Sequence, residues 1–107
     1  MTIIKVFRDQ GKIFKVEANG HSGYVNMGPD VVCAAVSAIV QTALLGLVEI
    51  AKVATEQVKA NGYLSFRILD SNISTRHTAD IILETMCVAV KDIEKDYRAH
   101  IKLEEIL

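Results

Sequence analysis

The sequence lacks the features that define several classes of protein. Its 107 residues include no Trp, one Pro and two Cys, and its formal net charge is −1. Two cysteines cannot build a disulfide framework, so we do not expect a small disulfide-stabilised scaffold. The near-zero charge and the 50% apolar content exclude an intrinsically disordered chain. Balanced, dispersed Lys and Arg disfavour direct binding of nucleic acid.

The N-terminal residues have the β-branched pattern of a strand and lack a basic-then-apolar leader. We therefore expect a cytoplasmic protein with reduced thiols. The length fits one domain, residues 1–107. A chain of this size buries roughly two thirds of its unfolded surface, which is enough for a hydrophobic core.

One apolar run, residues 31–51, is about long enough to cross a bilayer. Ser37, Gln41 and Glu49 interrupt it, and a membrane span would not explain the amphipathic strands predicted on both sides. We expect instead a long helix that is buried on nearly every face. In so small a chain, such a helix needs a sheet on one side and a second helix or a partner subunit on another.

The remaining pattern predicts an α+β fold. Two β-type runs separated by turn residues predict one hairpin, and Asn61-Gly62 predicts a second one after the long helix. A second helix, at about residues 75–97, carries apolar residues at intervals of three and four. The predicted strands cover residues 3–7, 13–18, 53–59 and 63–69, with an optional fifth at 101–107. This order, ββαββα(β), predicts an α/β sandwich: an antiparallel or mixed sheet packed by two helices, one of them long and largely buried.

Residues 19–29 predict a long glycine-rich loop, which we expect to be mobile. It holds three of the six glycines and the only proline. Long loops in compact domains usually carry function or are mobile. His21 lies within this loop, which leads directly into the long helix.

Cys33 is the candidate nucleophile. Asp30 is predicted as the N-cap, which puts Cys33 at the third helical position, where unpaired N–H groups and the helix dipole favour a thiolate. That gain is only about 0.3–1 kcal/mol. A His21 imidazolium within about 4 Å could contribute up to roughly 4 kcal/mol before desolvation. Asp30 would cap the helix, orient His21, or do both. Ser37, one turn beyond Cys33, would bond a backbone carbonyl or line the site.

Other polar residues have simpler interpretations. Cys33 itself could be only a small buried hydrophobe. Cys87 lies in the middle of the second helix, with no cap or glycine loop nearby, and is predicted to be a packing residue. His77 and His100 are predicted at the surface. The His and Cys residues lack metal-ligand spacing, and phosphate-loop and dinucleotide motifs are absent, so we expect neither metal nor cofactor.

Residues 20–37, G-H-S-G-Y-V-N-M-G-P-D-V-V-C-A-A-V-S, resemble the ribosomal-processing cysteine protease family (Prp, or YsxB-like). The family pattern is a Gly-His-Ala-like turn, a glycine loop, and then Asp-Ile-Val-Cys-Ala-Ala-Val-Ser. This sequence departs at Ser22, where Ala is usual, and at Pro29, just before Asp30. The resemblance in length and element order spans the whole chain.

The resemblance implies a bacterial, cytoplasmic, homodimeric cysteine endopeptidase without a cofactor. Its substrate would be ribosomal large-subunit protein twenty-seven, from which it removes a short N-terminal extension needed for ribosome maturation. Two other classes stay open: a non-catalytic, ribosome-associated assembly module, and a redox thiol protein. The missing C-x-x-C pair argues against the redox class.

The resemblance also implies the site residues. It makes Cys33 the nucleophile and His21 the base, and then the proton donor, of a Cys-His dyad. The substrate-binding or supporting candidates are Gly20, Ser22, Gly23, Asp30 and Ser37.

Overall fold

The computed structural model describes residues 1–20, 29–69 and 72–107. The strands are β1 (Thr2–Asp9), β2 (Lys12–Asn19), β3 (Thr55–Ala60), β4 (Tyr63–Ile68) and β5 (Ile101–Ile106). The helices are α1 (Pro29–Gly46), which continues into one π-helical turn (Leu47–Ala51), and α2 (Ile73–Asp96). The predicted element order is confirmed, including the fifth strand.

The five strands form one mixed sheet in the order β3-β4-β2-β1-β5. Both predicted hairpins are present as antiparallel pairs, and β2 also pairs antiparallel with β4. Helix α2 carries the chain from β4 to the far edge, where β5 pairs parallel to β1 with Thr2 opposite Ile101. The first residue of β1 therefore lies inside the sheet, between β2 and β5.

Both helices cover one face of the sheet. Strand residues alternate, so every second side chain of β1 from Thr2 to Val6 points toward the helices and is buried. In β2 an irregularity in the pairing with β1 shifts this alternation. The largest fully buried side chains include Ile4, Ile13, Leu47, Phe66 and Leu83. One hydrophobic core thus joins the sheet to α1 and α2.

The connection between α1 and β3 explains why β3 begins later than predicted. Lys52 adopts a left-handed conformation, with φ 57°, and ends the π-helical turn. The N–H of Val53 then bonds the carbonyl of Leu47 at 3.1 Å, which ties Val53 to the helix end. Val53 is buried as part of this cap, so the strand starts at Thr55 instead.

Helix α1 is less buried than predicted. Val31–Ala51 is long and apolar enough to cross a membrane by length and composition alone, and 33% of its most apolar window is buried. One side packs on the sheet and another on α2, but Leu45 and Ile50 remain 61% and 71% exposed. The prediction of a largely buried helix is wrong for the single chain, because a two-layer fold covers only the inner sides of a helix.

Candidate active site

Cys33 lies on the buried side of α1, facing the start of β1. Its side chain is 7% exposed, and the hydroxyl of Thr2 donates a hydrogen bond to its Sγ over 2.9 Å. Thr2 is fully buried. The thiol is not part of a disulfide.

The helix start differs from the prediction. Helix α1 begins at Pro29, and proline is favoured at a first helical position because its missing N–H has no partner there anyway. Asp30 is therefore the second helical residue instead of the N-cap, and Cys33 is the fifth instead of the third. In a helix that begins at Pro29, the N–H of Cys33 pairs with the Pro29 carbonyl. The predicted contribution of unpaired N–H groups at Cys33 is thus wrong.

Gly20 fixes the end of β2 beside the start of β1. Its φ is +97°, a conformation that glycine adopts readily, and a Cβ there would overlap the carbonyl oxygen of Met1. Its N–H donates to the carbonyl of Gly62 over 2.9 Å, which ties it also to the β3–β4 turn. Only glycine fits this approach, which gives Gly20 a structural role at the end of β2.

The other loop candidates fall outside the described residues. His21, Ser22 and Gly23 belong to residues 21–28, and the predicted mobile loop 19–29 lies mostly there. Asp30 is described as helical backbone only. Two of the predicted site residues, Gly20 and Cys33, therefore both lie beside the start of β1.

Ser37 lies one turn beyond Cys33 and is half-buried. Its Oγ accepts a hydrogen bond from Nε2 of Gln41 over 3.1 Å, so its partner here is a side chain rather than a backbone carbonyl. Next to this pair is a cavity of about 310 Å³. Its lining consists of Gln41, Lys59, Ala60, Tyr63 and Leu64. The cavity therefore lies beside the β3–β4 turn that holds Gly20.

The remaining polar candidates have structural positions. Cys87 is 2% exposed within α2, which confirms it as a packing residue, and burial raises the pKa of its thiol. His77 is exposed as predicted, and His100 is half-buried. Thr2 is the residue that the sequence analysis missed. Its alternation with Ile4 and Val6 was the available signal, because it puts the hydroxyl on the core face of β1.

Comparisons with known proteins agree on one family. The family model described as cysteine protease Prp matches residues 1–102. A ribosomal processing cysteine protease Prp from Staphylococcus aureus is 32% identical over 111 residues, covering 96% of each chain. The protein of the same name from Bacillus subtilis is 29% identical over 103 residues, covering 94% of this chain and 91% of its own.

Solved structures give the same result. A crystal structure of an essential ribosomal processing protease Prp from S. aureus with a substrate peptide matches with a TM-score of 0.86 and 25% identity. It covers 98% of this chain and 99% of that one. A second S. aureus structure, with a covalently linked product peptide, matches with a TM-score of 0.82, 27% identity and the same coverage. These matches confirm the predicted α+β fold.

Proposed function

Because this chain belongs to the Prp family of cysteine proteases and is itself a cysteine protease, we propose that it processes a ribosomal protein. The substrate is the N-terminal extension of ribosomal large-subunit protein twenty-seven, and the reaction takes place in the cytoplasm. The observation that carries the proposal is the whole-chain similarity to an S. aureus ribosomal processing protease that binds a substrate peptide.

In this proposal, Cys33 is the nucleophile and His21 is its base. Gly20, the residue before His21, packs against the backbone of Met1. The residue that follows Met1 is Thr2, whose hydroxyl donates a hydrogen bond to the Cys33 Sγ. The chain thus enters the segment with His21 from a point close to the thiol. The covalently linked product peptide of the S. aureus relative supports a covalent mechanism.

The reaction has two stages. The Cys33 thiolate attacks the scissile carbonyl, a C–S bond forms, and the carbonyl electron pair moves to oxygen. The unpaired N–H groups that α1 offers to this oxyanion belong to Asp30 and Val31, since that of Cys33 is paired. The intermediate then expels the amine, which takes a proton from His21. Water attacks the thioester while His21 accepts its proton, and the carboxylate product leaves Cys33 free.

The cavity beside Gln41 is the proposed path of the peptide on one side of the scissile bond. Gln41 lies two helical turns from Cys33, which is about 12 Å along α1. An extended peptide covers that distance with about four residues. Tyr63 offers an aromatic surface to a substrate side chain, and Lys59 offers a positive charge.

The test is cleavage of a synthetic peptide with the N-terminal extension of the host's own ribosomal protein, followed by mass spectrometry. Wild type should release one product, and Cys33→Ala and His21→Ala should release none. Cys87→Ala and His77→Ala are matched controls that should keep the wild-type rate. Cleavage by Cys33→Ala or His21→Ala refutes the dyad.

The same test separates the other classes. Failure of wild type to cut this peptide while it cuts a different one refutes the substrate but leaves the dyad standing. A silent Cys33→Ser substitution and an intact peptide indicate the assembly module instead.

A second part of the proposal is a homodimer that buries the outer side of α1. A cavity of about 450 Å³ runs between α1 and α2, and its lining is almost entirely apolar. Ile50 and Ile81 line it and are 71% and 57% exposed. Exposed apolar surface of this kind marks an interface in soluble proteins, and a second copy supplies the cover that the single chain lacks.

Light scattering during gel filtration tests the dimer. Ile81→Glu puts a charge into the apolar groove and should give a monomer, because an unpaired charge is costly to bury. Ile73→Glu is the matched control, since Ile73 is 91% exposed and does not line the groove. A wild-type monomer, or an Ile81→Glu dimer, refutes this interface.

A further inference from the structure

The hydrogen bond between Thr2 and Cys33 has a direct consequence for the reaction. Among the residues that the structure describes, Sγ of Cys33 is the one hydrogen-bond partner of the Thr2 hydroxyl. The Thr2 side chain is fully buried, so water does not replace that partner. The hydroxyl donates, which means that the sulfur is the acceptor.

Thr2 is held rigidly. Its N–H donates to the carbonyl of His100 over 2.8 Å, and its backbone pairs with Ile101 of β5. A β-branched side chain also has few rotamers. The hydroxyl therefore approaches the sulfur from a fixed direction set by the pairing of β1 with β5.

A donated hydrogen bond acts differently on the two forms of the sulfur. It is strong to an anionic thiolate and weak to a neutral thiol, so it favours the thiolate. This contribution matters here because Cys33 is the fifth residue of α1 and is beyond the unpaired N–H groups of the helix start.

We propose that Thr2 is a positioning residue for the proteolytic reaction: its hydroxyl orients Sγ of Cys33 and stabilises the thiolate that attacks the substrate. The inference rests on the proposed role of Cys33 as the nucleophile. Thr2 itself touches neither the scissile bond nor the leaving group.

Three variants test the proposal, with Thr2→Val as the central one. Valine keeps the shape and the β-branch but removes the donor, whereas Thr2→Ser keeps the donor and removes a methyl group. Thr2→Ala removes both the donor and the methyl group, and it serves as the second donor-free variant if Thr2→Val does not fold. All three variants keep the ionisable groups that adjoin these segments in the sequence. Those groups belong to Met1, His21, Asp30 and His100.

The measurement is the rate of Cys33 alkylation by iodoacetamide from pH 5 to pH 10, with peptide mapping to separate Cys33 from Cys87. Thr2→Val should slow alkylation at pH 6–7 by about threefold to tenfold, the effect of one lost hydrogen bond. Its profile should move to higher pH and meet wild type at the alkaline end, because a less stabilised thiolate is intrinsically more nucleophilic. Thr2→Ser should restore the wild-type profile.

Cleavage of the substrate peptide should follow the same pattern, with a lower kcat/KM for Thr2→Val at pH 6–7 and recovery at high pH. A merely structural role predicts an equal loss at every pH, in Thr2→Ser as well as in Thr2→Val. Superimposed wild-type and Thr2→Val profiles also overturn the proposal. Cleavage by Cys33→Ala is a separate result, which refutes the proposed function instead.

Discussion

Strand β1 has a buried cysteine near each end, and the surroundings of the two thiols differ. Near its first residue, Cys33 accepts a hydrogen bond from Thr2. Near the other end of β1, Cys87 lies close to Arg8 and the charged groups around it. Burial is the main cause of the raised pKa of the Cys87 thiol. The two sulfur environments are about 20 Å apart along the strand, six residues at the usual rise.

Burial alone does not distinguish the two residues, because Cys33 is 7% exposed and Cys87 is 2% exposed. The difference lies in their partners: a hydroxyl donates a hydrogen bond to Cys33, whereas Cys87 is buried near charged groups and the described residues give its sulfur no hydrogen-bond donor. A thiol becomes reactive through groups that stabilise its anion. The role of nucleophile proposed for Cys33 thus belongs to the first environment, and the packing role of Cys87 to the second.

The largest expected effect is the difference in reactivity between the two thiols. In the native protein, iodoacetamide at pH 7 should modify Cys87 much more slowly than Cys33, since burial raises the pKa of the Cys87 thiol and lowers its thiolate fraction. Time-resolved peptide mapping measures both rates in one sample. In urea-unfolded protein the two rates should become equal. Similar rates in the native state would show that the two environments are chemically alike.

The sequence predicted the fold because local patterns determine most of it. The strand alternation, Asn61-Gly62 and the periodicity of α2 each specify their element locally, and the structure confirms all three. The start of α1 was misplaced by two residues, from Val31 to Pro29, because both Asp30 and Pro29 are favoured near a helix N-terminus. That two-residue difference moved Cys33 from the third helical position to the fifth, which lies in the second turn.

The contact between Thr2 and Cys33 could not be derived in the same way. It joins residues 31 positions apart, and it depends on β5 pairing parallel to β1, which sets the position of Thr2. The exposed side of α1 was also beyond local inference, since the apolar pattern indicates that a face is covered but not which chain covers it.

The next-largest expected effect is on stability, and it compares a Cys→Ser substitution at positions 87 and 33. Cys87→Ser should lower the free energy of unfolding by about 1–3 kcal/mol, because it puts a more polar hydroxyl at a position that is only 2% exposed. Cys33→Ser should cost about 1 kcal/mol less, because the new hydroxyl finds Thr2 as a partner. Urea unfolding measures both. Equal losses would mean that the Thr2 hydroxyl does not compensate a polar atom at position 33.

Substitution of Arg8 tests the structural role of the C-terminal end of β1, near Cys87. Its guanidinium donates to both carboxylate oxygens of Glu84, at 2.6 and 3.0 Å, to Glu105 at 3.0 Å, and to the carbonyl of Gly11 at 2.8 Å. It thereby joins β1 to α2 and β5. Arg8→Met should cost about 1–2 kcal/mol of stability, a modest value because both carboxylates are partly solvated.

Arg8→Lys is the matched control. It keeps the charge but cannot form the planar two-pronged contact with Glu84, so it should recover only part of the stability. Neither variant should change the pH profile of Cys33 alkylation. A changed profile would indicate that the two ends of β1 are coupled.

The smallest expected effect concerns Glu105 at the same end. Its hydrogen bond with Arg8, supported by Lys91, holds the pKa of this carboxyl below its usual value of about 4.5. A lowered pKa in the folded state stabilises the protein above pH 4.5, and this stabilisation disappears as the pH falls through the lowered value. Because Glu105 is 36% exposed, the contribution should be below about 1 kcal/mol.

Glu105→Gln should therefore lower the free energy of unfolding in urea at pH 7 and not at pH 3. Glu104→Gln is the neighbouring charge-matched control, and it should change stability at neither pH. An equal loss for Glu105→Gln at both pH values would assign its role to packing instead of charge, because only the ionised carboxylate gains from Arg8.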